Sequence, residues 1–373
     1  MTSDSQVLLQ LVRLGLGQVL KGDIAPTEYD WKAVLDLAYS QGVDAIASDG
    51  LQLAYEGYPQ IAASLSRPEN KQTKYDLFGS ALQSEVRHEE YRAAIGKLAS
   101  FYEKIGIPMM LLKGFGLSLY YPVPNHRPSG DIDVFLFGKQ VEADRLMEEQ
   151  VGAKINRSNP HHSVFSFEGF TVENHATFLD NNSHKSTPYI EGVIQELLQD
   201  PQPSIEVEGR RIFVPSVQLN SIFLLRHMAN HFATEKITLR HLLDWALFID
   251  KNASEVDWGY VTDFARRTNM HLFLSAVNAI CVRELGFPEE HFPVPCPDEA
   301  LASRVLGDIL SPEWQGEIPP MQNKLRYGLA KTRRLWHNRW KYRIVYDETL
   351  WQSFWTLARN RVGRIINRRV FLF

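Results

Sequence analysis

Hydrophobic residues in the first hundred positions recur every three or four residues, the spacing that places them on one face of a helix. The sequence Thr27-Glu28-Tyr29-Asp30 resembles a capping box and predicts a helix start. A long helix is predicted over residues 74–104, with its end at Gly106. The helical spacing returns over residues 215–287, so helical segments flank the middle of the chain.

The middle of the chain has a different pattern, in which short runs rich in Val, Ile, Phe and Leu predict strands. Strands or hairpins are expected in the runs 107–112, 132–137, 163–167, 170–178 and 205–214. A helix is predicted over residues 139–150, ending near Gly152. Together these patterns predict an α+β fold with a small mixed sheet and helices.

A chain of 373 residues suits two or three domains. Proline-rich stretches at 288–298 and 312–320 predict loops or a linker. We divide the chain into an N-terminal helical region, a mixed core, a C-terminal helical domain and a basic, Trp-rich amphipathic tail. Their bounds are 1–106, 107–214, 215–320 and 321–373.

The composition indicates a cytoplasmic globular protein. Hydrophobic residues make up 44% of the chain and charged residues 23%, both ordinary values. No apolar run approaches the ~20 residues that span a bilayer, and the N-terminus lacks the basic and apolar regions of a secretory signal. Cys281 and Cys296 alone give no disulfide framework, which fits a reducing cytosol.

The tail differs from the rest of the chain in its charge. From Lys324 to Arg369 it carries thirteen Lys and Arg residues but two acidic ones, and four of the eight tryptophans. Its apolar residues form a stripe at helical spacing: Trp351, Phe354, Trp355, Ala358, Val362, Ile365 and Ile366. Three interpretations stay open: packing on the protein's own acidic body, peripheral contact with an anionic inner-membrane surface, and RNA binding.

Two acidic residues lie two positions apart at the start of a predicted strand, Asp131 and Asp133. Because strand side chains alternate between faces, both point the same way. Neighbouring carboxylates repel unless a positive charge lies between them, and a divalent cation commonly supplies it. Asp-x-Asp also occurs by chance in many chains, so the interpretation depends on the surrounding residues.

Those surroundings contain an anion-binding turn and a third acid. The sequence Lys113-Gly114-Phe115-Gly116 joins an apolar run to a short helical pattern, and glycines at such a turn let backbone N–H groups approach an anion. Its spacing matches neither the Walker A nor the Rossmann pattern. On the later hairpin, Glu173 and His175 share one face.

Three segments carry a family resemblance: Leu112-Lys113-Gly114, Arg127-Pro128-Ser129-Gly130-Asp131-Ile132-Asp133 and Val172-Glu173-Asn174-His175. They resemble the DNA polymerase beta-like nucleotidyltransferase superfamily, and more closely an uncharacterised bacterial nucleotidyltransferase family within it. The resemblance extends over about residues 27–250, including the later segments Leu224–His231 and Leu239–Trp245. One departure is the turn, where the superfamily has Gly-Ser and this chain has Gly114-Phe115.

The resemblance implies a polymerase beta-like core and Mg²⁺-dependent transfer of NMP from NTP to a hydroxyl group by a two-metal mechanism. Asp131 and Asp133 would be catalytic ligands that bridge two Mg²⁺ ions, with Mn²⁺ as a substitute. Glu173 would hold the ion nearest the acceptor and help remove its proton.

The resemblance also implies a set of nucleotide-binding residues. Lys113 and Arg127 would neutralise the triphosphate, and Arg127 offers a bidentate fork. Further nucleotide contacts are expected from Gly114, Ser129, Gly130 and His175. His175 could instead orient Glu173 or simply pack.

Other histidines and acids have ordinary explanations. His227 and His231 lie four apart on one helix face, but Met228 stands where a zinc protease has its glutamate, so a structural role is favoured; the alternative is that both face the active-site cleft. Asp244 lies four residues after Arg240, which suggests a pair within one helix. His161-His162 opens the first hairpin strand without an evident further ligand.

Three functional hypotheses follow. The first is the nucleotidyltransferase. The second is a non-catalytic nucleotide-binding or interaction protein on the same fold; the presence of all three acids argues against it, and the missing turn serine keeps it open. The third is an RNA-modifying enzyme that uses the basic tail. The NTP and the acceptor, whether small molecule, glycan or lipid intermediate, protein side chain or RNA end, are not written in the sequence.

Overall fold

The computed structural model describes residues 2–19, 29–180, 184–295, 298–318 and 324–355. Three sequence features lie outside these ranges: Thr27 and Glu28 of the capping-box sequence, Cys296, and the tail from residue 356 onward.

The helical spacing of the first hundred residues corresponds to α1 (Ser3–Gly15), α2 (Trp31–Gln41), α3 (Asp44–Gly57), α4 (Pro59–Leu65) and α5 (Lys71–Lys104). The Asp30 carboxylate accepts a hydrogen bond from the Ala33 backbone N–H and so caps α2. Helix α5 confirms the long helix predicted from the sequence. The chain leaves it at Gly106, whose φ of +71° suits glycine.

The strands form one six-stranded mixed sheet in the order β3-β4-β2-β1-β6-β5. They are β1 (Met110–Leu111), β2 (Ile132–Phe135), β3 (His162–Phe167), β4 (Phe170–His175), β5 (Ser204–Val207) and β6 (Arg210–Phe213). Strand β2 is parallel to β4 and antiparallel to β1. The hairpins β3-β4 and β5-β6 are the two predicted from the sequence, and the α+β class is confirmed.

Helices connect and follow the strands. Within the sheet region these are α6 (Phe115–Ser118), α7 (Gln140–Val151) and α8 (Thr187–Leu197). After the sheet come α9 (Val217–Thr234), α10 (Leu239–Lys251), α11 (Trp258–Arg267), α12 (His271–Arg283), α13 (Glu299–Leu310), α14 (Lys324–His337) and α15 (Arg339–Val345). None of the helices in the described ranges combines the length and apolar character needed to span a membrane.

The two faces of the sheet pack against different helices. Ile132, Val134 and Val172 lie in one buried cluster with residues of α5 and α7, such as Ile95 and Met147. Because strand side chains alternate, the residues between them face the other way. On that side Phe135 belongs to a second cluster, which includes α9 and α10. The acidic residues of β2 and β4 therefore face the C-terminal helices.

The first part of the basic tail packs on the body of the protein. The Lys341 ammonium in α15 lies 2.5 Å from the Asp308 carboxylate, and both side chains are buried. Trp340 donates its indole N–H to Glu313. Trp336 and Trp351 are exposed. The apolar stripe from Ala358 onward lies outside the described residues.

A short turn at Pro124–His126 links the N-terminal helices to the loop before β2. The buried His126 ring contacts Asp49 of α3 through Nδ1, at 2.6 Å, and Glu85 of α5 through Nε2, at 3.1 Å. Burial opposes a charge on this ring, but the hydrogen bonds and negative charges of Asp49 and Glu85 outweigh it and raise the pKa of His126.

We predict that Asp49→Asn destabilises the protein more below pH 6 than at pH 9. A histidine whose folded pKa is raised contributes stability below its unfolded pKa of about 6.5, and that contribution is lost as the pH rises through the folded pKa. Hydrogen bonds to charged groups contribute about 1.5–3 kcal/mol, which sets the expected loss at low pH. Urea unfolding at both pH values measures it.

The control is Asp36→Asn, because Asp36 pairs with Lys32 on an exposed helix face without a histidine. It should cost less than about 1 kcal/mol at either pH. Equal destabilisation by Asp49→Asn at both pH values would contradict the prediction.

Candidate active site

The sheet register brings two of the three predicted acids side by side. Asp133 on β2 lies directly opposite Glu173 on the parallel strand β4. Asp131 precedes Asp133 by two residues, and all three line one cavity, as the period of two predicts. Asp133 is buried, Glu173 is half-buried and Asp131 is exposed. Three carboxylates therefore converge at the cavity wall.

Their charges act on one another. The Asp131 side chain is exposed at the cavity mouth but is partly shielded from water by the surrounding protein, and this shielding, followed by the negative charges of Glu173 and Asp133, raises its pKa. Burial alone would raise the pKa of Asp133 as well, but the positive charge of Lys113 and a hydrogen bond from His175 hold it well below its ordinary value. The three acids thus carry more negative charge than Lys113 alone balances, and such an excess favours the binding of a divalent cation.

Lys113 and His175 contact the central carboxylate. The Lys113 ammonium lies 2.9 Å from Asp133 Oδ1, and His175 Nε2 lies 3.2 Å from the same oxygen. His175 Nε2 is also 3.6 Å from Glu173 Oε2. One ligand atom from each of Asp133, Glu173 and His175 lies within 4.8 Å of the other two, so these groups could hold a metal ion.

Position 114, in the predicted anion-binding turn, requires glycine because Tyr91 lies very close to its backbone. Gly114 has a φ of +61°, and a Cβ atom there would lie 2.3 Å from the Tyr91 hydroxyl oxygen. That hydroxyl donates a hydrogen bond to the Asp131 backbone carbonyl, at 2.8 Å. Gly114 therefore allows α5 to fix the backbone at the first acid. It also lines the cavity, as does Gly130.

Arg127 is held by a carboxylate of the C-terminal helices. Its Nε and Nη2 atoms donate to the two oxygens of Asp244, at 2.7 and 2.9 Å, and both residues are buried. The Tyr121 hydroxyl donates to Asp244 Oδ1 as well, at 2.8 Å. The expectation that Asp244 forms an intrahelical pair with Arg240 was wrong, because Arg127 of the loop before β2 takes both of its oxygens.

The cavity has a volume of about 400 Å³ and lies between the acidic face of the sheet and helices α9 and α10. Its sheet side carries the three acids with Lys113. Its helical side carries Arg240 and three histidines that sequence analysis did not assign to the site: His227, His231 and His241.

Burial disfavours a positive charge on two of these histidines, His227 and His241. Burial, with a further contribution from Lys113, lowers the pKa of His227 well below its ordinary value. Burial and Arg240 lower the pKa of His241 to about 3. His241 Nδ1 accepts a hydrogen bond from the Thr238 backbone N–H, which also caps α10. The spacing of His227 and His231 predicted one helix face, and the cavity lining agrees with the alternative that this face lies at the cleft.

Two predicted nucleotide-binding residues lie beside the cavity rather than in its lining. His175 lies behind the acids and contacts Asp133 and Glu173. The Ser129 hydroxyl oxygen is buried and has no hydrogen-bond partner within the described residues. The cavity lining contains the other predicted residues: Lys113, Gly114, Arg127, Gly130, Asp131, Asp133 and Glu173.

Comparison with known proteins identifies a family whose model matches most of this chain. The model of a family described as "Uncharacterised nucleotidyltransferase" matches residues 27–286. A crystal structure of an antigenic nucleotidyltransferase-like protein from Paracoccidioides brasiliensis aligns with 57% of this chain and 96% of its own, at 10% identity and a TM-score of 0.35. A similarity at that score carries no argument about the fold. The search of curated proteins gave no match.

We predict that Asp244→Asn destabilises the protein by about 3–5 kcal/mol, because it leaves the Arg127 charge buried without its counter-charge. The measurement is chemical denaturation at neutral pH. Tyr121→Phe is the matched control, since it removes one hydrogen bond to the same carboxylate and keeps the ion pair; it should cost about 1–2 kcal/mol. Similar losses in both variants would show that the ion pair is not what holds the loop.

Proposed function

The chain belongs to the family of uncharacterised nucleotidyltransferases, and from that premise we propose that it transfers NMP from an NTP to a hydroxyl group with the help of Mg²⁺. The observation that carries the proposal is the convergence of Asp131, Asp133 and Glu173 at one wall of a cavity. We further propose that residues 107–214 form a polymerase beta-like core.

Asp131, Asp133 and Glu173 would hold the metal ions. The donor set fits Mg²⁺, since carboxylate oxygens are the ligands that this hard cation takes in proteins. When bound, two ions would stabilise charge on the attacking and leaving oxygens and lower the pKa of the acceptor hydroxyl. Glu173, half-buried beside Asp133, is the group we assign to the acceptor side, where it could receive the hydroxyl proton.

His175 would act as a positioning residue. It is buried and contacts both Asp133 and Glu173, so it fixes the directions in which two ligand carboxylates point. Burial opposes a charge on His175, yet the hydrogen bonds to Asp133 and Glu173 raise its pKa. Each of these contacts favours the ionised form of the carboxylates, the form that binds a cation.

Lys113 would exchange partners during the reaction cycle. Its ammonium now neutralises Asp133 at 2.9 Å, and it lies at the start of the glycine turn beside the cavity. A cation at Asp133 would release it toward the triphosphate, which Gly114, Gly130 and the unpartnered Ser129 hydroxyl could also contact. Arg240, which is half-buried in the opposite wall, is a second cation for phosphate.

Arg127 has a different role in this proposal from the one its sequence position suggested. Its fork is engaged by Asp244, so it holds the loop before β2 against α10, and its charge is balanced by that carboxylate. The Arg127–Asp244 ion pair thereby holds the acidic edge of the sheet next to α10, which forms part of the opposite wall of the cavity.

A non-catalytic nucleotide-binding protein is the alternative. The observations in its favour are the absence of a serine in the Gly114-Phe115 turn and the contacts of Asp133 with both Lys113 and His175. Turnover separates the two functions, because a binder would gain thermal stability with NTP and Mg²⁺ but release no pyrophosphate.

We predict Mg²⁺-dependent pyrophosphate release from at least one NTP in the presence of an acceptor extract, and its loss by more than about 100-fold in Asp131→Asn. Changes to groups behind metal ligands commonly cost 10–100-fold, and a ligand itself should cost more. Asp131 is exposed, so the melting temperature should hardly change. Glu206→Gln, an exposed acid on β5, is the control and should keep full activity. Full turnover in Asp131→Asn would refute the mechanism.

We predict that Lys113→Met has two opposite effects. Without nucleotide, Mg²⁺ should bind more tightly, because the ammonium no longer competes for Asp133. The KM for NTP should rise about tenfold or more, because a charge-assisted contact to phosphate of about 1.5–3 kcal/mol is lost. Mg²⁺ titration and steady-state kinetics measure the two effects. Weaker Mg²⁺ binding together with an unchanged KM would assign Lys113 to structure alone.

A further inference from the structure

Three histidines meet at one end of the β3-β4 hairpin, behind the carboxylates. His161 precedes β3, His162 is its first residue, and His175 is the last residue of β4 and pairs with His162 in register. The Ala176 backbone N–H donates to the His161 carbonyl and continues the ladder. The ring centroids are 5.2 Å apart for His161 and His162, 4.9 Å for His161 and His175, and 5.4 Å for His162 and His175.

Hydrogen-bond partners fix the proton positions on two of the rings, those of His161 and His175. The Thr177 hydroxyl donates its hydrogen to the Leu179 carbonyl, at 2.7 Å. It must therefore accept from His161 Nδ1, which lies 2.9 Å away. His161 Nε2 then carries a lone pair.

The proton positions on the His162 and His175 rings follow from their surroundings in the same way. His175 Nε2 lies 3.2 Å from Asp133 Oδ1, so it is the natural N–H donor of that ring. His162 Nε2 lies 4.0 Å from Glu173 Oε1, where the negative charge favours a proton on this nitrogen. The opposite nitrogens, His162 Nδ1 and His175 Nδ1, are buried and have no hydrogen-bond partner within the described residues. A buried polar atom without a partner calls for an explanation, and a bound ion is one such explanation.

The arrangement has the dimensions of a transition-metal site. One nitrogen of each histidine lies within 4.8 Å of one nitrogen of each of the others. A tetrahedral Zn²⁺ ion with Zn–N bonds of about 2.0–2.1 Å places the centroids of its imidazole ligands about 5 Å apart. The three observed centroid distances lie around that value.

We propose that His161, His162 and His175 bind a divalent transition-metal ion of the Zn²⁺ class, at a site separate from the carboxylates. The supporting groups follow the usual pattern, in which the second nitrogen of a metal-bound histidine donates to a hydroxyl or carboxylate. Thr177 plays that part for His161, and Asp133 and Glu173 for His175. Imidazole nitrogens suit Zn²⁺, whereas the oxygen ligands of the neighbouring site suit Mg²⁺.

The two sites share His175 through its opposite nitrogens. An ion at His175 Nδ1 would keep the proton on Nε2 and so hold the hydrogen bond to Asp133 in place. The ion would thereby fix a carboxylate of the proposed active site without touching substrate. This histidine site does not depend on the proposed transferase activity.

Cobalt titration of the full chain tests the site. Protein stripped with a chelator is titrated with Co²⁺ in excess Mg²⁺, and the visible absorption of the protein-bound ion is followed. We expect one equivalent of Co²⁺ with the intense bands of low coordination number, displaced by Zn²⁺ and not by Mg²⁺. His161→Gln and His162→Gln should each weaken binding at least tenfold.

Two further variants keep the test decisive. Thr177→Val leaves all three ligands in place and should weaken Co²⁺ binding about 10–100-fold, which covers the case in which a histidine variant fails to fold. His88→Gln is the control, because His88 is also buried with an unpartnered Nδ1, but it stacks on Phe115 rather than on other histidines. It should bind Co²⁺ as the wild type does.

The outcomes separate this site from the proposed active site. Co²⁺ binding that survives Asp131→Asn, while turnover is lost, supports both proposals. Co²⁺ binding without any turnover in the wild type would keep the histidine site and reject the transferase. Absence of the bands, or equal binding by wild type and the folded His161→Gln/His162→Gln double variant, would overturn the histidine site.

Discussion

The repulsion between carboxylates on adjacent parallel strands is the constraint around which the rest of the site is arranged. Asp133 and Glu173 lie opposite each other in register, and Asp131 adds a third negative charge. Lys113 and His175 balance part of that charge, and both contact the same oxygen of Asp133. Such an arrangement costs stability, and it is retained where a cation or a charged substrate completes it. That is why we assign the site to metal-dependent chemistry on phosphates.

The cavity depends on helices from both ends of the chain. Tyr91 of α5 fixes the backbone at Asp131 from behind the sheet. Arg127 ties the loop before β2 to Asp244 of α10, and His126 ties the same loop to α3 and α5. The loop that leads into β2 is thus held on one side by the buried Arg127–Asp244 ion pair and on the other by the contacts of the buried His126 ring. A site built in this way can keep converging acids in place before any ligand arrives.

The sequence was informative wherever the deciding pattern is local. Alternation along β2 and β4 predicted which acids share a face, and the runs around Glu168-Gly169 predicted the hairpin that carries Glu173. It failed where partners are distant along the chain. The partner of Arg127 is Asp244, more than a hundred positions later, while the local rule pointed to Arg240. Likewise, the spacing of His227 and His231 predicted a shared helix face and left the cleft as an alternative location for it, whereas nothing in the sequence pointed to His241 of the next helix.

The proposal that the three acids bind catalytic metal ions is tested most directly by a crystal structure with Mn²⁺ and a non-hydrolysable NTP analogue. The anomalous signal of Mn²⁺ locates the metal. We expect Mn²⁺ peaks bound by Asp131, Asp133 and Glu173, with Lys113 withdrawn from Asp133 toward the phosphates. A nucleotide bound elsewhere, or one in this cavity with Lys113 still paired to Asp133 and no metal at the three acids, would contradict it.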